Sequence, residues 1–396
     1  MIETDLRVSV LAVKDLHGST GIILSGDLLY FGEELSKKIE SMLELEFNIP
    51  TENVLLAASH THFAPSTDRA KPQLGPVDEA YWTSVWLKIE RMLRKVIGGS
   101  FVRAALQSGN AICYAGVYRR RRWPVPHLYR RSLAIGEPVM APDPSVNIDR
   151  RLRLWVWRAE DGAPVSVVWH FACHPTETPT DAAVSADFIG LVRNRLQAEI
   201  GTSIPILFLQ GFSGDISPNA KRRRLRTVND LVRWALFGPA FERFDESAWE
   251  SWSAGLCDSA SRAMAAALGR APAPIEGRLD ARLETVPLRR VIVDPAAEGE
   301  CVFKRLRLGE ALDLFSVSAE VSDRLRMTIP IVDAVPVGCA GACFGYWPTE
   351  RQRREGGYEG GRYLPVVGFS GRLAKGLDEL FVKTVGKLTK RIGAEA

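Results

Sequence analysis

Apolar positions recur along this chain with two periods. Leu6 to Val13 and Thr20 to Ser25 are β-rich runs separated by Lys-Asp-Leu-His-Gly, which predicts a hairpin. In Glu33 to Phe47 the spacing changes. Leu35, Ile39, Met42, Leu43 and Leu45 recur as on one face of a helix, and Asn48-Ile-Pro is the stop signal. Asn53 to Ser59 reads as a short apolar strand and Val77 to Ile97 as a second amphipathic helix.

The alternation resumes further on. Leu152 to Arg158 and Val165 to Ala172 predict strands, Phe188 to Ile200 a helix, Pro205 to Gln210 a strand and Trp249 to Leu268 a helix. Strand and helix in turn predict an α/β fold, a mixed central sheet flanked by helices. From about residue 271 the chain becomes more β-rich. Leu279 to Val293, Leu312 to Val317 and Ile329 to Val337 predict strands, and a last helix is expected from about Arg372 to Ile392. No repeat and no low-complexity linker divides residues 1–396, so one domain is expected, with an α/β part over 1–270 and a β-rich part over 271–396.

Composition narrows the classes. The 396 residues are 46% hydrophobic and 25% charged, with 33 Gly and 23 Pro scattered, which excludes collagen-like, disordered and coiled-coil chains. Apolar stretches such as Ile329 to Phe344 are broken by Asp, Pro and Gly, so no transmembrane segment is predicted. Acidic residues in MIETDLRVSVLAV stand where a signal peptide needs positive charge, and six scattered cysteines favour free thiols. The cytoplasm is the expected compartment. A net charge of +4 hides basic runs at Arg119 to Arg122, Arg130 and Arg131, Lys221 to Arg224, and Arg351 with Arg353 and Arg354. Solvated loops are the plain reading of these runs. An anionic substrate or lipid surface comes next, and no nucleic-acid partner is expected, because aromatics are not interleaved along one basic face.

Chemistry concentrates in few places. Four of the six histidines fall in two groups, Ser59-His60-Thr61-His62 and His170-Phe171-Ala172-Cys173-His174, each where a predicted strand runs out into a loop. Ligands of α/β proteins gather at the carboxyl ends of strands, and histidines converging there are how metals are often held. A third strand runs into Gly211-Phe-Ser-Gly-Asp-Ile-Ser-Pro-Asn219, whose glycines allow close backbone approach. No Gly-x-Ser-x-Gly elbow, dinucleotide fingerprint or Walker-type loop is present.

Taken in order, SHTHFAP (59–65), HFACHPTE (170–177), SADF (185–188), GDISPN (214–219), SAE (318–320) and GYWPT with GGYEG (345–360) resemble the catalytic region of the neutral ceramidases, zinc-dependent amidases. The resemblance runs from about residue 5 to about residue 370. It implies a Zn2+ site built from His60, His174, Glu320 and Tyr346. It also implies that His62 assists proton transfer, that Tyr358 lies near the scissile bond, and that Arg119 contacts substrate, although Tyr118 replaces the asparagine that precedes this arginine in the family. Ser217 matches a family serine and is assigned to orienting structure or substrate. Asp27 and Asp187 are candidate carboxylates behind the ligands, or else helix N-caps. His170, four residues before His174, is a rival ligand. The chain is shorter than a ceramidase, and the resemblance implies the catalytic domain without the C-terminal β-domain.

The expected function is therefore a metal-dependent hydrolase that cleaves the amide bond of a small-molecule or lipid-like N-acyl substrate, and the arginine-rich segments suggest an acidic one. A zinc esterase of the same fold, or a non-catalytic ceramidase-like protein holding an anionic partner, are the alternatives.

Overall fold

The computed structural model describes residues 4–129, 132–179, 184–331 and 333–389. Arg130 and Arg131, and residues 390–392 of the predicted last helix, lie outside the described residues.

The N-terminal hairpin forms as the pattern predicts. Val8–Lys14 pairs antiparallel with Thr20–Gly26, which then pairs in parallel with Val54–Ala58. Between them runs the helix Glu33–Phe47, ended by Asn48 in the left-handed conformation that asparagine tolerates. Leu35, Ile39, Met42 and Leu43 are buried, but Leu45 is exposed, two residues beyond Leu43 and so around the helix on its solvent face.

A second sheet has the order Ile206–Gln210, Pro164–Phe171, Arg151–Ala159, Ala104–Ile112, Ala273–Pro274. Its first two strands are parallel and the others antiparallel. Ser25 Oγ joins this sheet to the first by donating to the Phe208 carbonyl at 2.7 Å and accepting from the Phe208 N–H. The helices Asp187–Ile200 and Glu246–Leu268 cover one face with Phe188, Val192, Leu256 and Met264. Against the other face lie Trp155, Trp157, Val168 and Leu207, packed on Leu306, Leu308, Leu314 and Val337 of a third sheet.

That third sheet is Leu279–Pro287, Glu300–Leu308, Leu312–Val317 and Val335–Val337. Its far face is closed by Phe381, Val385 and Leu388 of the helix Leu377–Thr389. The layers are thus helix, sheet, sheet, helix, each apolar face buried once.

Two predicted strands are shorter than expected. Leu279 to Val293 breaks at Pro287 into a 3-10 turn, and among the described residues of Ile329 to Val337 only Val335–Val337 is strand. Pro330 interrupts that apolar run ahead of the strand, and proline has no N–H to give a sheet. Among the described residues no helix is long and apolar enough to cross a membrane.

The layering brings several carboxyl strand ends to one place. Val54–Ala58 leads to His60 and His62, Pro164–Phe171 to His174, and Ile206–Gln210 to the Gly211–Asn219 loop. Leu312–Val317 leads to Glu320, and the two-residue strand Glu320–Val321 pairs in parallel with Tyr346–Trp347. Cross-links hold these ends together: Gly341 N–H donates to Leu56 O, Gly338 N–H to Gln210 O, and Glu320 N–H to Gly345 O.

Candidate metal centre

His60 leaves its strand with φ of 67°, a left-handed conformation that is strained for a residue with a Cβ. Backbone pairing enforces it, since Ser59 N–H donates to Gly26 O and His60 N–H to Leu28 O. The bend buries the imidazole. It also sets His60 Nδ1 3.1 Å from the Leu29 carbonyl and leaves Nε2 facing inward.

His174 is held in the same way. Its N–H donates to Ile216 O, and its Nδ1 lies 2.7 Å from the Ser213 carbonyl. A carbonyl can only accept, so in each ring Nδ1 carries the hydrogen and Nε2 keeps its lone pair. Both Nε2 atoms face one oxygen. Glu320 Oε2 is 3.3 Å from that of His60 and 3.0 Å from that of His174. Tyr30 donates its hydroxyl to the other oxygen, Oε1.

Two lone pairs and a carboxylate meeting in a buried space need positive charge between them. His174 is a poor source of it, because burial and the Arg119 cation push its imidazole down to about 4. Burial works to raise the Glu320 carboxyl, but the histidines it faces hold it well below the usual range. His60 Nε2 is buried with no hydrogen-bond partner. This donor set fits a divalent cation.

His62 completes the cluster from the solvent side. Its ring centroid is 5.0 Å from that of His60 and 6.1 Å from that of His174, and one ligand atom from each of the three rings falls within 4.8 Å of the others. These three can hold a metal ion. Although His62 touches solvent, the surrounding walls desolvate it and, with His60 and His174, push its imidazole well below the ordinary value.

On the far side, Tyr346 Oη is 3.3 Å from His174 Nε2 and accepts a 2.9 Å hydrogen bond from Arg119 Nη2. Burial, reinforced by Glu320, raises the phenol well above its ordinary pKa, so it stays a donor. Arg119 also donates to Glu359 at 2.7 Å and to Gly214 O at 2.8 Å. Gly214 is required at that spot, because a Cβ there would meet the Glu320 and Val321 backbone at 2.6 to 3.0 Å. Tyr358 stands edge-on to Tyr346 at 5.6 Å, at the rim.

The structure thus brings His60, His62, His174, Glu320, Tyr346, Tyr358 and Arg119 together. Ser217 sits beside Val117 in the short strand Ile216–Pro218, and among the described residues its hydroxyl is not joined to the cluster by a hydrogen bond. His170 is not a rival ligand. Its Nε2 donates to the Pro336 carbonyl at 2.8 Å and its Nδ1 accepts from Arg153 at 3.1 Å, which occupies both ring nitrogens. Burial and Arg153 push it down to about 3. Asp27 is neither ligand support nor cap: it pairs with Arg193 at 2.7 Å and accepts from Arg7 N–H. Asp187 opens its helix with φ of 55° and accepts the Glu177 N–H at 3.1 Å, tying down the loop that follows His174.

Sequence reasoning missed Tyr30 and Glu359. Glu359 lies inside the quoted GGYEG and bridges Arg119 to Arg120 at 2.7 Å each, so an arginine run there was a signal for a buried partner.

The strongest outside comparison is structural. A crystal structure of neutral ceramidase from Pseudomonas aeruginosa superposes with a TM-score of 0.70 at 16% identity, covering 100% of this chain and 71% of that one. The fold is that of a neutral ceramidase. A structure of a ceramidase complexed with C2 matches equally, with a TM-score of 0.71, 15% identity and the same coverage. No protein-family model matches the sequence, and no curated protein matches it. The likeness to ceramidases is therefore one of fold.

Proposed function

We propose that this chain is a zinc-dependent amidase, with His60, His174 and Glu320 as its ligands and Tyr346 beside them. The observation that carries the reading is the pair of Nε2 lone pairs, each fixed by a carbonyl on its own Nδ1, converging on one Glu320 oxygen. Zinc bound there supplies a Lewis acid that polarises a carbonyl and brings the pKa of a water towards neutrality.

The chain's own residues do the rest. His62, open to solvent beside the cluster, accepts a proton from the attacking water and returns it to the leaving amine. Tyr346 has its oxygen held by Arg119, and with the His174 Nε2 lone pair committed to a metal its O–H would be free to donate to the oxygen on which charge develops. Tyr358, at the rim, orients the acyl group. Arg119 positions Tyr346 and Gly214 rather than meeting substrate directly, since its guanidinium is buried and engaged by Glu359, Gly214 and Tyr346.

The ceramidase-like fold favours an N-acyl bond on a lipid-like substrate. Turnover of a fluorogenic N-acyl amide beside its ester isostere tests this. The amide should be cleaved, cleavage should stop on chelation, and His62→Ala should lower kcat by about a hundred- to ten-thousandfold. Ester turnover without amide turnover by the zinc-loaded protein would contradict the amidase reading.

A further inference from the structure

The Lys221 to Arg224 run opens a segment that the metal centre does not use. Backbone bonds from Arg223 N–H to Ala240 O and from Glu242 N–H to Lys221 O close a stem. At its tip stands the helix Val228–Phe237, which buries none of its residues. It is nonetheless well made, with Thr227 and Asp230 forming a capping box. Val228, Leu231, Val232 and Leu236 recur at helical spacing and are 77%, 52%, 50% and 43% exposed. A helix that turns an apolar stripe to water needs something to cover it.

The surrounding charge says what. Arg223 and Arg226 are taken up by Asp230 and Glu242. Among the described residues, Lys221, Arg222, Arg224 and Arg233 have no acidic partner and are exposed. Apolar side chains and unpaired cations on one short helical loop match an anionic lipid surface, into which the stripe inserts while the cations meet headgroups.

The location fits as well. Trp234 packs edge-on against Trp123 at 5.4 Å, and the helix lies on the strand His127–Tyr129. Tyr129 in turn carries the Arg362 guanidinium over its ring at 4.7 Å, in the turn Tyr358–Arg362 at the rim of the metal centre. Leu133 and Ile135, next along the chain, are also exposed.

We propose that the helix Val228–Phe237 and the basic run before it dock the chain on an anionic lipid bilayer, with the site rim beside the membrane. The proposal deepens the lipid-like N-acyl reading and rests on it for substrate only, because docking requires neither metal nor turnover.

Flotation with vesicles of equimolar phosphatidylcholine and phosphatidylserine, and with phosphatidylcholine alone, tests it. The expected result is that the wild type floats with the anionic vesicles, less at high salt, and weakly with phosphatidylcholine. The Leu231→Asp/Val232→Asp and Lys221→Glu/Arg222→Glu/Arg224→Glu variants should each lose at least about tenfold in partitioning. Both change only exposed side chains, and unchanged circular dichroism would show that they fold. Wild type that stays unbound, or variants that float equally well, would overturn the proposal. So would a wild-type dimer that ignores vesicles and that Leu231→Asp/Val232→Asp dissociates, because the stripe would then belong to a second copy. Failure of the hydrolase reading would show separately, as absent turnover of a water-soluble amide by protein that still floats.

Discussion

Tyr30 and Glu320 are 290 residues apart in sequence, yet the phenol donates to the carboxylate oxygen that the histidines leave free. In the proposed site that bond would orient Glu320 towards the metal, with Tyr30 itself no ligand. Tyr30→Phe should lower metal affinity by about 10–100-fold, read by competition with a chelator, while metal stoichiometry at saturation stays that of the wild type. Nothing in a Leu-Leu-Tyr-Phe run marks such a phenol, because a core aromatic looks the same in sequence. The histidines were legible for the opposite reason: they are few, and both groups stand at strand ends. What the sequence left open between His170 and His174 was direction. His170 precedes the end of its strand and turns towards Arg153 and Pro336, whereas His174 lies beyond that end, where the chain is free to bend inward.

At the scale of elements, legibility followed burial. The helix Glu33–Phe47 was readable to the residue, since one stripe is buried and the stop signal is explicit. The strand Glu300–Leu308 was not predicted, because Lys304, Arg305 and Arg307 break up its apolar residues. Lys304 is nevertheless buried, its ammonium held by Glu40 and by the Thr51 and Val54 carbonyls. The strand Ala104–Ile112 was equally hidden, half of it being polar or exposed. It carries Gly109, where a Cβ would collide with the backbone of Ala263 and Ala267 in the helix Glu246–Leu268. Gly109→Ala should therefore cost about 1–3 kcal/mol in urea unfolding, since neither backbone can yield as a side chain could.

Across the whole molecule, a buried acidic cluster ties distant segments together. Asp215 accepts from Ser322, from Asp323 N–H and from Gln352, while Asp323 accepts from Asp149 N–H and Arg326. Burial, with Asp215 and Asp149 nearby, raises the Asp323 carboxyl from 3.8 to about 7. The folded state thus holds this proton more tightly than the unfolded chain. Its contribution to stability is complete below the unfolded value and is lost as pH rises through about 7. Relative to Asp323→Asn, the wild type should accordingly lose stability as pH rises from about 4 to about 7, read as a shrinking difference between the two in urea titrations.

All of the proposed chemistry depends on one claim, that the converging imidazoles and Glu320 hold a metal. Elemental analysis of the purified wild type beside His60→Ala, His174→Ala and His170→Ala tests it most directly. About one zinc per chain is expected, lost in the first two variants and kept in His170→Ala, whose ring nitrogens are already engaged. Wild type that takes up no stoichiometric metal even after reconstitution with zinc, or metal that survives both His60→Ala and His174→Ala, would contradict it.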